Sequence, residues 1–149
     1  MFQLEIRPNK QWWIKLGEEV SERLRKRTKS GKGLEGSFKS YTADYKKNKA
    51  AGKYKRQSST STKPDLTLTG DMLRDLQVRG ASRSGVQIGW TGSFAERVVH
   101  NQEMGREITS SSKALPKELQ NYILNRLDKE VGRKIKKQSG KTTVIKVGV

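Results

Sequence analysis

The sequence predicts an α+β fold in which a small antiparallel β-sheet packs against a long N-terminal helix and a long C-terminal helix. Apolar residues recur at intervals of three and four near both ends of the chain, and they alternate with polar residues in its middle. These two periods are those of an amphipathic helix and of a strand with one buried face. Because 149 residues is the length of one ordinary domain, we expect residues 1–149 to form a single domain.

The N-terminal region is predicted to start as a strand and to continue as a helix. Apolar and polar residues alternate from Phe2 to Ile6, and Pro8 ends this pattern. Asn9 is suited to cap a helix that runs to about Lys29. The apolar face of that helix contains Trp13, Leu16, Val20 and Leu24.

The next segment contains glycines at 31, 33 and 36, the spacing of a dinucleotide-binding fingerprint. That fingerprint joins a strand to a following helix, whereas here a helix precedes it, so we interpret residues 30–38 as a flexible hinge. Residues 40–52 suit a short helix with Tyr41 and Tyr45 one turn apart. Residues 53–64 are rich in Ser, Thr and Lys without apolar periodicity, and we expect them to form the most mobile internal loop.

The central and C-terminal regions supply the remaining predicted elements. Thr69 to Asp71 starts a helix. Val78 precedes a loop from Gly80 to Gly85, and Val86, Ile88 and Trp90 alternate with other residues after it, which predicts a β-hairpin with one buried face. Ser93 and Glu96 have the spacing of a capping box for a further helix. A last long helix follows Pro116, with an apolar stripe at Leu119, Ile123, Leu127, Val131 and Ile135. Residues 138–149 are predicted to form a basic turn and a final strand over 142–149.

The charge is strongly positive and unevenly distributed. The formal net charge is +17, and residues 23–63 contribute +12 of it, residues 126–149 contribute +6, and residues 64–125 are neutral. Since ordinary surfaces mix both signs, we expect the basic regions to face a polyanion or an acidic protein surface. The alternative is a solubilising face.

The composition excludes several kinds of site. Without cysteine there is no disulfide, no thiolate nucleophile and no Cys-ligated zinc, and one histidine cannot form a multi-His metal centre. No apolar run approaches the roughly 18 residues that span a bilayer, and no leader pattern is visible, so we expect no membrane partner. We predict no cofactor, no metal and no catalytic residue.

His100 offers one enzymatic alternative, a nuclease in which this histidine activates water beside a metal held by carboxylates. The acids that could support it are Asp71, Asp75, Glu96 and Glu103. Their spacing is uninformative, and a histidine near a helix end is the simpler interpretation.

The basic segment after residue 40 is the candidate contact surface for DNA or an acidic partner. Lysine and arginine neutralise phosphates without reading sequence, and no RNA-recognition or zinc-finger signature is present. The candidate contact residues are Lys46, Lys47, Lys49, Lys53, Lys55 and Arg56. A second functional hypothesis is therefore a free protein that binds DNA or RNA non-specifically.

Candidate residues for contacts between subunits lie near the N-terminus and in the predicted hinge. Trp12 falls outside the apolar face to which its neighbour Trp13 belongs, so it either covers the N-terminal strand or anchors an interface. From the hinge region we add Gly33, Leu34 and Phe38 as candidate interface residues.

Four motifs follow one another over residues 34–108: LEGSFKSYTADYKKNKAAGK, LTLTGDMLRDLQV, GVQIGW and FAERVVHNQEMGREI. Their order resembles that of the virion-morphogenesis and tail-completion (neck) proteins of tailed bacteriophages. In that family a Tyr/Lys helix precedes an L-x-x-T-G-x-L element, a strand pair and a His/Asn-Gly-Arg segment. The matching positions are Leu66, Thr69, Gly70, Leu73, His100, Asn101, Gly105 and Arg106.

The resemblance implies a structural subunit repeated as a ring at the head-to-tail junction of a phage, around the axis through which packaged DNA runs. The implied partners are other copies of the chain, portal or tail proteins, and packaged double-stranded DNA. The implied location is the virion, with the host cytoplasm as the site of assembly. A ring subunit needs no catalytic group, in agreement with the absence of a convincing one in the sequence.

Overall fold

A computed structural model describes residues 7–110 and 112–139 and contains five helices and four strands in that part of the chain. The elements are α1 (Lys10–Lys29), β1 (Lys32–Gly33), β2 (Gly36–Ser37), α2 (Ala43–Ala50), α3 (Asp71–Arg74), β3 (Gln77–Ala81), β4 (Val86–Gly89), α4 (Gly92–Glu103) and α5 (Lys117–Ser139). The four described strands pair as two antiparallel hairpins, β1 with β2 and β3 with β4. The predicted α+β class, with long helices at both ends, is confirmed.

Two predicted strands cannot be compared with the structure. The strand over 2–6 and the strand over 142–149 lie outside the described residues. Because α5 continues to Ser139, the predicted C-terminal turn does not begin at residue 138.

Helix α1 begins where its sequence predicts. The Asn9 side chain accepts a hydrogen bond from the Trp12 backbone N–H at 2.9 Å, which satisfies one of the free donors of the first turn. The helix then packs across the hairpin of β3 and β4. At Gly17 a Cβ would lie 2.7 Å from a Val86 methyl and 2.8 Å from a Val78 methyl, so glycine allows this close approach.

The apolar core has two parts that meet at Trp90. One part joins α1 to α5 and consists of Leu16, Val20, Leu24, Leu76 and Leu119. The other lies among α2, α3 and α4 and consists of Phe38, Tyr41, Leu66, Met72, Leu73, Val98 and Ile108. Trp90 packs against both, and its indole N–H donates to the Met72 carbonyl at 2.8 Å. One side chain therefore joins the two halves of a small core.

Two local sequence predictions were wrong. Helix α4 begins at Gly92 with Thr91 as its N-cap residue, so Ser93 and Glu96 form no capping box. The Asp75 carboxylate accepts a hydrogen bond from the Thr91 N–H at 2.8 Å. This bond holds Thr91 at the start of the helix, two residues before the predicted cap at Ser93.

The glycines predicted as a flexible hinge instead form the hairpin of β1 and β2. A Cβ at Gly33 would lie 2.3 Å from the Phe38 ring and 2.4 Å from the Glu107 carbonyl oxygen. The Leu34 N–H donates to that same carbonyl at 2.8 Å. Glycine is required here for close packing, which the sequence pattern does not distinguish from freedom of motion.

A polar cluster adds to the apolar contact between α1 and α5. The Glu19 carboxylate accepts hydrogen bonds from the Arg126 guanidinium at 2.9 Å and from the Tyr122 hydroxyl at 2.6 Å. Arg23 lies 3.7 Å from the centre of the Tyr122 ring. Burial by itself would raise the pKa of Glu19, but the bonds from Arg126 and Tyr122 outweigh it and lower that pKa below its usual value.

We expect the contribution of Glu19 to depend on pH in the sense of a lowered carboxyl pKa. The free energy that ionised Glu19 adds to stability is fully present above the carboxyl pKa of the unfolded chain, about 4.3, and it is lost as the pH falls through the lower pKa of the folded state. At pH 7 the substitution Glu19→Gln should cost about 1 kcal/mol of unfolding free energy, and the cost should shrink towards pH 3. Urea unfolding at both pH values measures it.

Glu18→Gln is the matched control, because Glu18 is exposed and makes no ion pair within the described residues. It should leave stability nearly unchanged at both pH values. A cost of Glu19→Gln that is the same at pH 3 and pH 7 would contradict the assigned role of the ionised carboxylate.

Candidate functional site

The basic segment is anchored to the core by one buried ion pair. The Lys49 side chain is fully buried, and its Nζ donates to Asp65 Oδ1 at 2.8 Å. The same Asp65 carboxylate accepts the Thr67 N–H at 2.9 Å and the Ser59 hydroxyl at 3.2 Å. Both carboxylate oxygens are thus engaged, as a buried charge requires.

Gln57 holds the first half of the loop to α2. Its side-chain amide donates to the Lys49 carbonyl at 2.5 Å and to the Ser59 carbonyl at 2.7 Å. Residues 53–64 contain no helix or strand, as predicted. They are nevertheless tied to α2 at one end and to Asp65 at the other.

The burial of Lys49 corrects one predicted contact residue. Lys49 was grouped with its neighbours because it belongs to the same basic run, but its ammonium group faces Asp65 and has no exposed surface. The spacing offered a signal, since Tyr45 and Lys49 are four residues apart and share one face of α2. Because Tyr45 is half-buried against the core, a lysine on the same face of α2 is placed to lie against the core as well.

The other five predicted contact residues form what we call the basic surface: Lys46, Lys47, Lys53, Lys55 and Arg56. Lys46 is half-buried and the rest are exposed. The four lysine side chains make no ion pair or hydrogen bond with any residue that the structure describes. Arg56 has a 75% exposed side chain and lies 3.9 Å from Asp71. Their charges therefore face solvent nearly unneutralised.

Most predicted interface residues belong to the interior of the subunit. Leu34 and Phe38 are 8% and 7% exposed, and Gly33 is buried under the Phe38 ring. These three are corrected to interior positions, because the hairpin folds back onto the segment that follows α4, where the Leu34 N–H donates to the Glu107 carbonyl. Trp12 is half-buried and packs edge-to-face on Trp13 at 5.0 Å between ring centres, so part of its surface stays available.

A pocket of about 580 Å³ opens beside the basic surface, between the start of α2, the start of α3 and the exposed side of α4. Its lining includes Leu66, Leu68, Met72 and Met104, together with the rings of Tyr41 and Tyr45. Six of the eight positions that carry the phage-protein resemblance also line it, namely Leu66, Thr69, Gly70, His100, Asn101 and Arg106. Residues far apart in sequence thus meet at one place.

The floor of the pocket is held by Tyr41. Its hydroxyl accepts the Leu66 backbone N–H at 3.0 Å, which fixes Leu66 in a left-handed conformation with φ of 52°. Burial raises the pKa of Tyr41 to about 12, so the phenol stays neutral at all ordinary pH values. Lys49 and Arg106 both lie over its ring, at 5.1 and 4.8 Å from the centre.

The wall at the end of α4 is fixed by a Schellman motif. Gly105 has φ of 75°, its N–H donates to the Gln102 carbonyl, and the Arg106 N–H donates to the Asn101 carbonyl at 2.8 Å. The Arg106 guanidinium then donates to the carbonyls of Lys39 and Ser40, each at 2.9 Å. The Gly-Arg pair in the sequence therefore closes α4 against the segment before α2.

The side chains considered for a nuclease are not brought together. The His100 side chain is 69% exposed, and Glu103 is the acid paired with it, at 4.0 Å. Asp71 pairs with Arg74, and Asp75 pairs with Arg79. In the described part of the chain no three His, Cys, Asp or Glu residues are grouped as metal ligands would be.

Sequence reasoning missed Asp65, Arg97 and Met104 as residues of this region. Asp65 directly follows the basic segment and is the only acid between residues 45 and 70, which was a usable signal for a partner of a buried lysine. Arg97 and Met104 carried no comparable signal, because their position at the pocket depends on how α4 packs.

Comparisons with protein-family models, with curated proteins and with solved structures find no match to this chain. Within the described ranges, no helix combines the length and the apolar character needed to cross a membrane.

Replacing Lys49 should destabilise the fold far more than replacing its exposed neighbour. Lys49→Met removes the cation and leaves Asp65 buried without its counter-charge, which should cost about 3 kcal/mol. Lys47→Met makes the same replacement of lysine by methionine on the exposed side of α2, and it should change stability by less than about 0.5 kcal/mol. Thermal and urea unfolding of the two variants measure the difference.

The double variant Lys49→Met with Asp65→Leu is the further control. Removing both charges should recover a large part of the lost stability, because no unpaired charge then remains inside. Equal costs for Lys49→Met and Lys47→Met would show that the ion pair does not anchor the loop.

Proposed function

We propose that this chain is a structural subunit of the head-to-tail junction of a tailed bacteriophage, where copies assemble as a ring and join head to tail in the virion. The observation that carries the proposal is the basic surface: four lysines and Arg56 lie close in sequence and are exposed apart from the half-buried Lys46, and within the described residues their one ion-pair contact is that of Arg56 with Asp71 at 3.9 Å. Such a surface is compensated by a polyanion or by an acidic protein. DNA in the channel and acidic portal or tail surfaces are the candidates at a head-to-tail junction.

Repetition in a ring strengthens the effect of this surface. Each copy adds its own unpaired cations, so a closed ring carries a positive collar whose potential exceeds that of one subunit. Because the fold places these cations on a segment anchored by Lys49 and Asp65, every copy presents them in the same geometry.

Helix α5 supports the proposal of self-association. It extends over 23 residues and packs against α1, yet Leu124 is 56% exposed and Ile135 is 48% exposed. We assign these apolar side chains to the contact between neighbouring copies. Burial of each would contribute on the order of 1 kcal/mol or more to that contact.

The positions of the phage-protein resemblance also have clear structural roles. Gly105 and Arg106 close α4, and Leu66 is held by Tyr41. These three positions of the resemblance therefore stabilise the fold of the subunit, which is the role we expect for shared residues of a structural component.

Neutralising the basic surface should impair joining without affecting the fold. The test uses infected cells in which a plasmid supplies this protein in place of the phage gene. The variant with Gln at Lys46, Lys47, Lys53, Lys55 and Arg56 should lower infectious yield at least tenfold and leave filled heads without tails. The unfolding midpoint should stay within a few degrees of the wild type. Plaque counts, electron microscopy and thermal unfolding give the three readouts.

The matched control removes five exposed cations that lie outside both the basic surface and α5, through Gln at Lys10, Lys15, Lys29, Lys32 and Arg83. It has the same net charge as the first variant and should give near-normal particles. Normal particles from the basic-surface variant, or equal loss from both variants, would contradict a local role of that surface.

The basic surface equally favours a free nucleic-acid-binding protein as the second candidate. Such a protein would bind DNA or RNA as a monomer, with a salt slope of about −0.9 for each phosphate contacted. Fractionation of purified virions separates the two: the junction subunit stays with the particle, and a free binder is lost from it.

Polar replacement on α5 should weaken self-association. Leu124→Ser combined with Ile135→Ser should raise the dissociation constant of the assembled form at least tenfold, because two exposed apolar side chains no longer become buried. Gln120→Ser, an exposed polar position on the same helix, should leave it unchanged. Sedimentation over a range of concentrations tests this, and identical behaviour of all three proteins would remove α5 from the interface.

A further inference from the structure

The pocket beside α4 combines an apolar interior with basic residues and no acidic ones. Leucine and methionine side chains supply much of the interior. The basic residues in its lining are Arg97, His100 and Arg106, and no aspartate or glutamate is among them. Arg106 is 4% exposed, and its guanidinium donates to two backbone carbonyls. Arg97 is the exposed guanidinium of the lining.

Arg97 is placed to receive a carboxylate. Its guanidinium lies 5.5 Å from the centre of the Phe94 ring and makes no ion pair with a described residue. The backbone carbonyl of Arg97 accepts the Asn101 side-chain amide at 2.9 Å, so this turn of α4 is held in place. An exposed guanidinium pairs well with a carboxylate, because its planar donors match two oxygens.

The aromatic groups of the pocket are not arranged for stacking nucleic-acid bases. Tyr41 is only 9% exposed. Tyr45 is half-buried between two other rings, 4.7 Å from Tyr41 and 5.3 Å from Tyr54. Base stacking requires an accessible ring face, whereas a leucine-sized or phenylalanine-sized side chain needs only apolar walls.

We propose that this pocket binds an acidic peptide segment of a partner protein, with one apolar side chain inside the pocket and an adjacent carboxylate paired with Arg97. The positive charge of Arg97 would suit a carboxylate or a phosphate, but the apolar interior and the inaccessible ring faces favour a peptide side chain over an oligonucleotide. The volume of about 580 Å³ accommodates one or two large side chains. Binding does not depend on the head-to-tail role, because it is a property of the isolated subunit.

The test selects ligands from a displayed library of random dodecapeptides on the purified full chain, with counter-selection on the empty support only. Enriched sequences should carry Asp or Glu within two residues of a Leu, Phe, Met or Ile. The best peptide is then measured by fluorescence anisotropy with each variant, next to a labelled oligo-dT of twelve nucleotides.

Arg97→Gln should weaken peptide binding at least fivefold, and Arg97→Glu should weaken it further. Arg83→Gln and Arg83→Glu are matched controls at an exposed arginine outside this pocket, and they should change affinity by less than twofold. Replacing the apolar anchor of the peptide by Ala should cost at least tenfold. Thermal unfolding verifies that each variant is folded.

Several results would overturn the proposal. These are an absence of enriched acidic and apolar sequences, equal effects of the Arg97 and Arg83 variants, and an Ala peptide that binds as well as its parent. Oligo-dT that binds more tightly than the peptide and depends on Arg97 would assign the pocket to nucleic acid instead. Failure of the assembly experiments on the basic surface or α5 would leave this peptide binding unaffected, so the two proposals fail separately.

Discussion

The contact of Lys49 with Asp65 determines where the basic segment of this protein lies. The ammonium group is fully buried and the carboxylate engages Lys49, Ser59 and Thr67 at once. This arrangement holds residues 53–69 against α2, and it positions Leu66 for its bond to Tyr41. Since a buried charge is costly without its partner, the loop, the basic surface and the pocket floor share one constraint.

The cations of this chain divide into two groups with different roles. Arg25, Lys49 and Arg106 use their donors on groups inside the subunit: Arg25 bonds to the carbonyls of Leu73 and Leu76, and Arg106 bonds to those of Lys39 and Ser40. They tie helices to loops in a protein with a small apolar core. The basic surface leaves its charges to solvent. The charge of Lys49 is already cancelled by Asp65 in the net charge of +17, whereas Arg25 and Arg106 count toward it although their guanidinium groups bond to carbonyls inside the subunit.

The three surfaces considered for binding are chemically distinct. The basic surface is cationic and without a pocket, α5 offers the exposed apolar residues Leu124 and Ile135, and the pocket combines apolar walls with Arg97 in its lining. A subunit of an assembly uses several such surfaces at once, one for its own copies and others for its neighbours. This division of chemistry is what supports a structural role over a single binding activity.

The sequence by itself determined the helix from Asn9 to Lys29, the hairpin around residues 78–90, the helix after Pro116 and the α+β class, because periodicity and capping act over a few residues. It also placed Lys46, Lys47, Lys53, Lys55 and Arg56 at the surface. Only the tertiary structure decided that Lys49 is buried, that Gly33, Leu34 and Phe38 lie inside, and that Arg97 meets Leu66 across a pocket. These outcomes depend on contacts between residues far apart in sequence. The spacing of Tyr45 and Lys49 and the isolated Asp65 are local signals for the ion pair, but whether the two groups meet depends on the fold. No local pattern indicates that Gly33 lies under the Phe38 ring or that Arg97 and Leu66 line one pocket.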